Sequence, residues 1–97
     1  MTDYSTTLSY QVLGCAMKVY QHFGPGLLES VYQRALMIEL DKADLLAESE
    51  VPINIEYLGT DLGLGFRMDI LVEKCMILEL KSVSQLEKVH FNLFKVN

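Results

Sequence analysis

The hydrophobic period of this chain changes once, close to Leu46, and that change restricts the folds open to it. Before Leu46, apolar residues recur every three or four positions; after it, they alternate. The first spacing buries one stripe of a helix, the second one face of a strand. The chain therefore reads as helices followed by strands adjacent in sequence. That order predicts an α+β fold with a three- to four-stranded, mainly antiparallel sheet. Ninety-seven residues hold one core, so 1–97 is read as a single domain.

Leu8, Val12, Cys15, Ala16, Val19 and Phe23 trace the stripe of a first helix over 8–23. Gly24-Pro25-Gly26 ends it, since Gly suits the left-handed position after a helix and Pro cannot continue one. A second helix is expected over about 27–44. Its apolar residues, from Leu28 and Val31 to Leu40 and Ala43, cover about 200° of the circumference, which implies burial on more than one side. Tyr32 is expected in the core. Two acids, Glu29 and Glu39, fall inside that arc. Glu29 in the first turn favours the helix dipole; Glu39 fits a pairing with lysine at the rim. They stand about 15 Å apart along the axis and cannot share one metal ion.

Beyond Leu46, Val51, Ile53 and Ile55 alternate with Pro52, Asn54 and Glu56, a strand with one wet face that begins at an edge. Gly59-Thr60-Asp61 reads as a turn, and 62–64 as a short strand or its continuation. Residues 66–72 and 76–83 are two more strands, joined by Glu73-Lys74-Cys75. Ser84 is placed to cap a C-terminal helix whose buried side is Leu86, Val89, Leu93 and Val96.

Composition narrows the function classes. The apolar runs are far shorter than the roughly 20 residues of a membrane-spanning helix. The first seven residues lack the basic and apolar segments of a secretory signal. Cys15 and Cys75 form no disulfide or zinc pattern, so a cytoplasmic protein without membrane partners is expected. Thirteen acids against eight bases give a net charge of −5, the wrong sign for a nucleic-acid binder, although a small basic face or a metal-bridged contact stays open. There is no Gly-rich phosphate loop and no Ser/His or Cys/His arrangement, which disfavours an NTPase or an acyl-transfer enzyme. His22 and His90 have no ligand-spaced companions and read as surface or helix-end residues.

The sharpest local feature is Arg67-Met68-Asp69-Ile70-Leu71 followed by Ile77-Leu78-Glu79-Leu80-Lys81. Residues two apart on a strand share a face, so Glu79 and Lys81 point the same way. Asp69 joins them if it pairs with Glu79. That register pairs Val72 with Met76 and leaves a three-residue loop, a common hairpin length. A two-residue loop would send the two acids to opposite faces. Converging, they offer hard oxygens to Mg²⁺ or Mn²⁺. Such an ion would polarise a phosphoryl oxygen and acidify a water, with Lys81 orienting that water or offsetting charge. Such spacing arises readily by accident, and taken alone it favours a solvated face on which Lys81 is an ordinary ion-pair partner.

Gly26-Leu27-Leu28-Glu29-Ser30-Val31-Tyr32 resembles the signature of the small bacterial GxxExxY proteins, grouped with the PD-(D/E)xK nuclease superfamily. The likeness extends through Ala35-Leu36, Glu39-Leu40, Val51-Pro52-Ile53, the segment from Gly65 to Val72, and Ile77-Leu78-Glu79-Leu80-Lys81. It implies a restriction-endonuclease-like core and magnesium-dependent hydrolysis of phosphodiester bonds in DNA or RNA. It also implies Asp69 and Glu79 as metal ligands, Lys81 as the catalytic lysine, and Glu29 as the helix glutamate completing the acidic site. Met68 stands where the superfamily's name has Pro. After Val89-His90 the Gln/Tyr helix, strand and final helix usual in relatives have no counterpart. An open sheet edge is therefore expected, and with it a two-fold homodimer using the stretch from Phe91 to Val96. The same departure keeps a second role in view, a catalytically inactive nuclease-like interaction or nucleic-acid-binding module.

Overall fold

The change of period falls where the chain leaves its second helix for its first strand. In the computed structural model, α1 (Tyr4–Phe23) and α2 (Glu29–Lys42) precede β1 (Ala47–Tyr57), β2 (Thr60–Val72), β3 (Met76–Val83) and β4 (Lys88–Lys95). The structure describes the backbone of residues 4–83 and 88–95 and the side chains of residues 6–81.

Helix α1 buries Leu8, Val12, Cys15, Ala16 and Val19 of the expected stripe, while Phe23, at its last position, is exposed. It ends as Gly24 turns to φ 67° and returns its N–H to the Tyr20 carbonyl at 2.7 Å. Helix α2 buries Tyr32, Leu36 and Leu40 completely, a single stripe rather than the wide arc expected, since Leu28 and Ile38 are exposed. Tyr32 also ties down the interhelical loop. Its hydroxyl donates to the Gly24 carbonyl at 2.5 Å and accepts the Leu27 N–H at 3.1 Å.

The four strands lie in sequence order, each antiparallel to its neighbour. Met68, Ile70, Val72, Met76, Leu78 and Leu80 are buried, and all but Met68 join the two helices in one cluster. Both helices thus cover one face of the sheet. Burying each such side chain contributes roughly 1.5–3 kcal/mol. Asp69, Leu71, Ile77 and Glu79, of the opposite parity, are only half-buried, and Lys81 is exposed. The α+β class, the two helices and the antiparallel sheet are those expected from the sequence.

Val72 pairs with Met76, and Glu73, Lys74 and Cys75 form the link, as the three-residue loop required. Glu73 and Lys74 take φ values of 52° and 56°, and the Cys75 N–H closes the turn on the Val72 carbonyl at 3.0 Å. Neither residue type favours the left-handed region. Contacts to the β1 side hold them there. Leu46 exchanges two hydrogen bonds with Glu73, and Lys74 Nζ lies 2.8 Å from Glu48 Oε1.

Two further expectations are corrected. Residues 88–95 are a strand, not part of a C-terminal helix; Ser84, Leu86 and Val96 lie outside the described residues. Val89, Phe91 and Leu93 alternate with Lys88, His90 and Asn92, so this stretch carries a period of two as well as a helical spacing. The unpaired edge of β3 decides between them, because a strand laid there satisfies its backbone groups. The first hairpin turn is Leu58-Gly59, one residue earlier than expected. Both residues have positive φ (50° and 82°), and Tyr57 pairs with Thr60.

Gly65 is the extra residue between the pairs Ile53–Phe66 and Asn54–Leu64, and a Cβ there would stand 1.9 Å from Ile55 Cγ1. Ile is stiff at χ1 and yields poorly. Gly65→Ala should therefore cost about 1–3 kcal/mol in urea denaturation, and the double variant with Ile55→Ala should recover most of that loss. Additive costs in the double variant would contradict the clash.

Candidate functional site

The β2–β3 ladder runs through Val72–Met76, Leu71–Ile77 and Ile70–Leu78 and then stops. The next step would pair Asp69 with Glu79. Instead, Asp69 Oδ2 accepts the Leu80 N–H at 2.8 Å. A side-chain carboxylate has replaced the carbonyl that a continuing strand would supply, and the strands part at this point. Ionised acceptors make bonds about twice as strong as neutral ones, which makes the substitution stable.

Asp69 and Glu79 line one open recess, with Phe66, Arg67, Met68 and Ile77. Lys81 Nζ lies 3.8 Å from Glu79 Oε1, with the two side chains 59% and 42% exposed. An ion pair this wet contributes about 0–1 kcal/mol, so fold stability gives little reason for it. The register thus brings Asp69, Glu79 and Lys81 together on the sheet face away from the helices.

Glu29 is exposed at the first position of α2 and is not among the residues lining the recess. Gln33, one turn later on the same helix row, does reach Asp69. Its Nε2 donates to the Asp69 carbonyl at 3.3 Å and to Glu50 Oε1 at 3.0 Å. Glu50 has φ 54° and drops out of the β1–β2 ladder, which pairs Ser49 with Ile70 and Val51 with Met68. Arg67 Nη1 lies 3.9 Å from Glu50 Oε2. Gln33 and Glu50 have no role in the sequence reading. The signal the sequence offers is an acid, Glu50, just ahead of the alternation that begins at Val51.

Glu39 lines a separate groove between the helices with Lys18, Val19, His22, Phe23, Ala35 and Ile38. Cys15 and Cys75 are free thiols. Burial pushes the Cys15 thiol up, which makes it a poor nucleophile. Among the described residues no three His, Cys, Asp or Glu side chains converge as a ready cage for a metal, and no helix is long and apolar enough to cross a membrane. Asp69 and Glu79, with one Asp69 oxygen committed to Leu80, are a sparse pair of hard donors. Such a pair suits an ion that keeps several of its waters, as Mg²⁺ does.

The Asp69–Leu80 bond sets an expectation for stability. Asp69→Asn keeps an oxygen for the Leu80 N–H and should cost less than Asp69→Ala, which strands that N–H at about 1–3 kcal/mol. Equal urea midpoints for the two variants would contradict the bond.

Comparison with known families places these residues in context. A family model described as the PD-(D/E)XK nuclease superfamily matches residues 6–94, a span that contains α2, β1 to β3 and the recess. No curated protein and no solved structure matches the chain. Two helices on an antiparallel sheet form an α+β arrangement consistent with a restriction-endonuclease-like domain. Nucleases of this superfamily generally use divalent metal ions, and their substrates are nucleic acids. The match covers nearly the whole length, and the chain belongs to the PD-(D/E)XK nuclease superfamily.

Proposed function

We propose that the chain is a divalent-metal-dependent nuclease domain that hydrolyses phosphodiester bonds in DNA or RNA. One observation carries the reading: Asp69 and Glu79 line a single recess where the β2–β3 ladder opens. In this reading both carboxylates hold Mg²⁺, or Mn²⁺ in its place; the ligand role that the signature implies for Glu29 is not part of it, because Glu29 does not line the recess. When bound, the ion supplies polarisation of a phosphoryl oxygen and acidification of water. Asp69 keeps its orientation through the Leu80 N–H while its second oxygen serves the cation. Lys81 orients the attacking water or offsets charge at the phosphorus, its ammonium drawn from the loose pair with Glu79. Within the superfamily, the segment from Gly26 to Tyr32 favours the GxxExxY group of bacterial, cytoplasmic proteins.

A homodimer belongs to the same proposal. Among the described residues β4 is a terminal strand of the sheet, and an uncovered strand edge is a template for pairing with a second copy. A two-fold dimer with Phe91 to Val96 at its interface satisfies that edge. Light scattering at micromolar concentration should report twice the chain mass; a stable monomer would rule the dimer out.

Thermal unfolding and cleavage assays test the nuclease reading. An ion bound only by the native state stabilises by about 2.7 kcal/mol at a hundred times its Kd, so Tm should rise in millimolar Mg²⁺ or Mn²⁺. Asp69→Asn and Glu79→Gln should each abolish the rise, and Glu39→Gln, in the other groove, should leave it intact. Lys81→Ala should keep the metal response but lose cleavage of plasmid DNA or RNA by about 10²-fold or more. An unchanged Tm with no nicking would favour an inactive interaction module, a reading with which the net charge of −5 agrees.

A further inference from the structure

Asp69 sits in a gap of both ladders that flank β2. Toward β3 the pairing ends at Ile70–Leu78, and toward β1 it skips from Ser49–Ile70 to Val51–Met68. A residue released by strand neighbours on both sides needs another restraint if its carboxylate is to keep one position. The side-chain amide of Gln33 supplies one, reaching the Asp69 carbonyl at 3.3 Å from α2. Its other amide hydrogen goes to Glu50 Oε1 at 3.0 Å. Both partners are acceptors, so only the NH₂ end of Gln33 can face them. The base of the restraint is firm, because Tyr32 and Leu36, on either side of Gln33 along the helix, are fully buried.

Glu50 gives the arrangement its cost. A glutamate at φ 54° within a strand is unfavourable. That conformation takes the residue opposite Asp69 out of the ladder and sets its carboxylate against Gln33. A regular β1 would have occupied the Asp69 backbone itself. We infer that Gln33 is a positioning residue for Asp69: anchored by Glu50, its amide stands in for the missing strand partner and sets where the Asp69 carboxylate stands. This deepens the proposed nuclease reading and rests on it for the use to which the carboxylate is put.

Two readouts on Gln33→Ala, Gln33→Glu and the exchange variant Gln33→Glu/Glu50→Gln test the inference. The first is amide hydrogen exchange at Leu80, whose N–H reports directly on the Asp69 carboxylate. The second is the Kd for Mn²⁺ added alone. In both single variants Leu80 should exchange severalfold faster while the Leu36 amide, inside α2, keeps its rate. Mn²⁺ affinity should fall about 10–100-fold, the usual effect of losing a group that orients a ligand. The exchange variant restores a hydrogen bond between positions 33 and 50 but offers no donor to the Asp69 carbonyl. It should recover Tm without recovering Leu80 protection, which a merely structural pair would not do. Unchanged Leu80 exchange in Gln33→Ala and Gln33→Glu, or equal acceleration at Leu36, would overturn the positioning role. A wild-type chain that binds no Mn²⁺ would refute the nuclease reading instead, and Leu80 exchange would still decide the role of Gln33.

Discussion

Val72 pairs with Met76, and the residues of β2 beyond Gly65 and those of β3 take their faces from that pair. One parity sends Ile70, Val72, Met76, Leu78 and Leu80 under the helices; the other gathers Asp69, Glu79 and Lys81 on the outer side. Slipping the hairpin by one residue would push charge into the core and scatter the recess. The turn that fixes this register is locally unfavourable, with Glu73 and Lys74 both at positive φ. It is held from outside by Leu46 and Glu48. The register therefore depends on the entrance of β1 as much as on the loop itself. The site, the core and the first hairpin are coupled through one turn.

The recess exists because the sheet is broken on purpose-built terms at Asp69. Its carboxylate replaces a ladder carbonyl toward Leu80, and Gln33 occupies its own carbonyl. Electrostatics then bear on how so acidic a chain meets a polyanion. Arg67 and Lys81 are 55% and 59% exposed and sit in loose pairs at 3.9 and 3.8 Å. Such pairs are weak and screened, so both cations can exchange a carboxylate for a phosphate at little cost. A divalent ion between Asp69 and Glu79 would remove further repulsion at the point of contact. The outer arm of the β1–β2 hairpin, residues 54–64, by contrast, carries Glu56, Asp61 and the exposed Tyr57, Leu58 and Leu62. It has no basic residue and is a poor surface for a phosphate backbone.

Local periodicity made the helices, the β2–β3 hairpin and the shared face of Asp69 and Glu79 legible in the sequence. Each depends on residues within one element or across one short loop. Residues 88–95 fit two periods at once, and the choice between helix and strand rests on the edge of β3, formed elsewhere in the chain. Gln33 and Glu50 were invisible for a related reason. Their meeting at Asp69 requires α2 docked on the sheet and β1 in its final register, contacts that span 17 and 36 positions of sequence. Glu29 shows the reverse case. The signature singles it out, while the helix row it shares with Gln33 brings only Gln33 to Asp69.

The central claim is that Asp69 and Glu79 form one cation site, and paramagnetic broadening tests it most directly. Substoichiometric Mn²⁺ added to uniformly labelled protein relaxes amide signals near the ion and spares distant ones. The account predicts selective loss of the Asp69, Glu79 and Leu80 amides, with Leu58 at the far tip of the first hairpin left sharp. Broadening centred on the acidic arm at Glu56 and Asp61, or none anywhere, would contradict it.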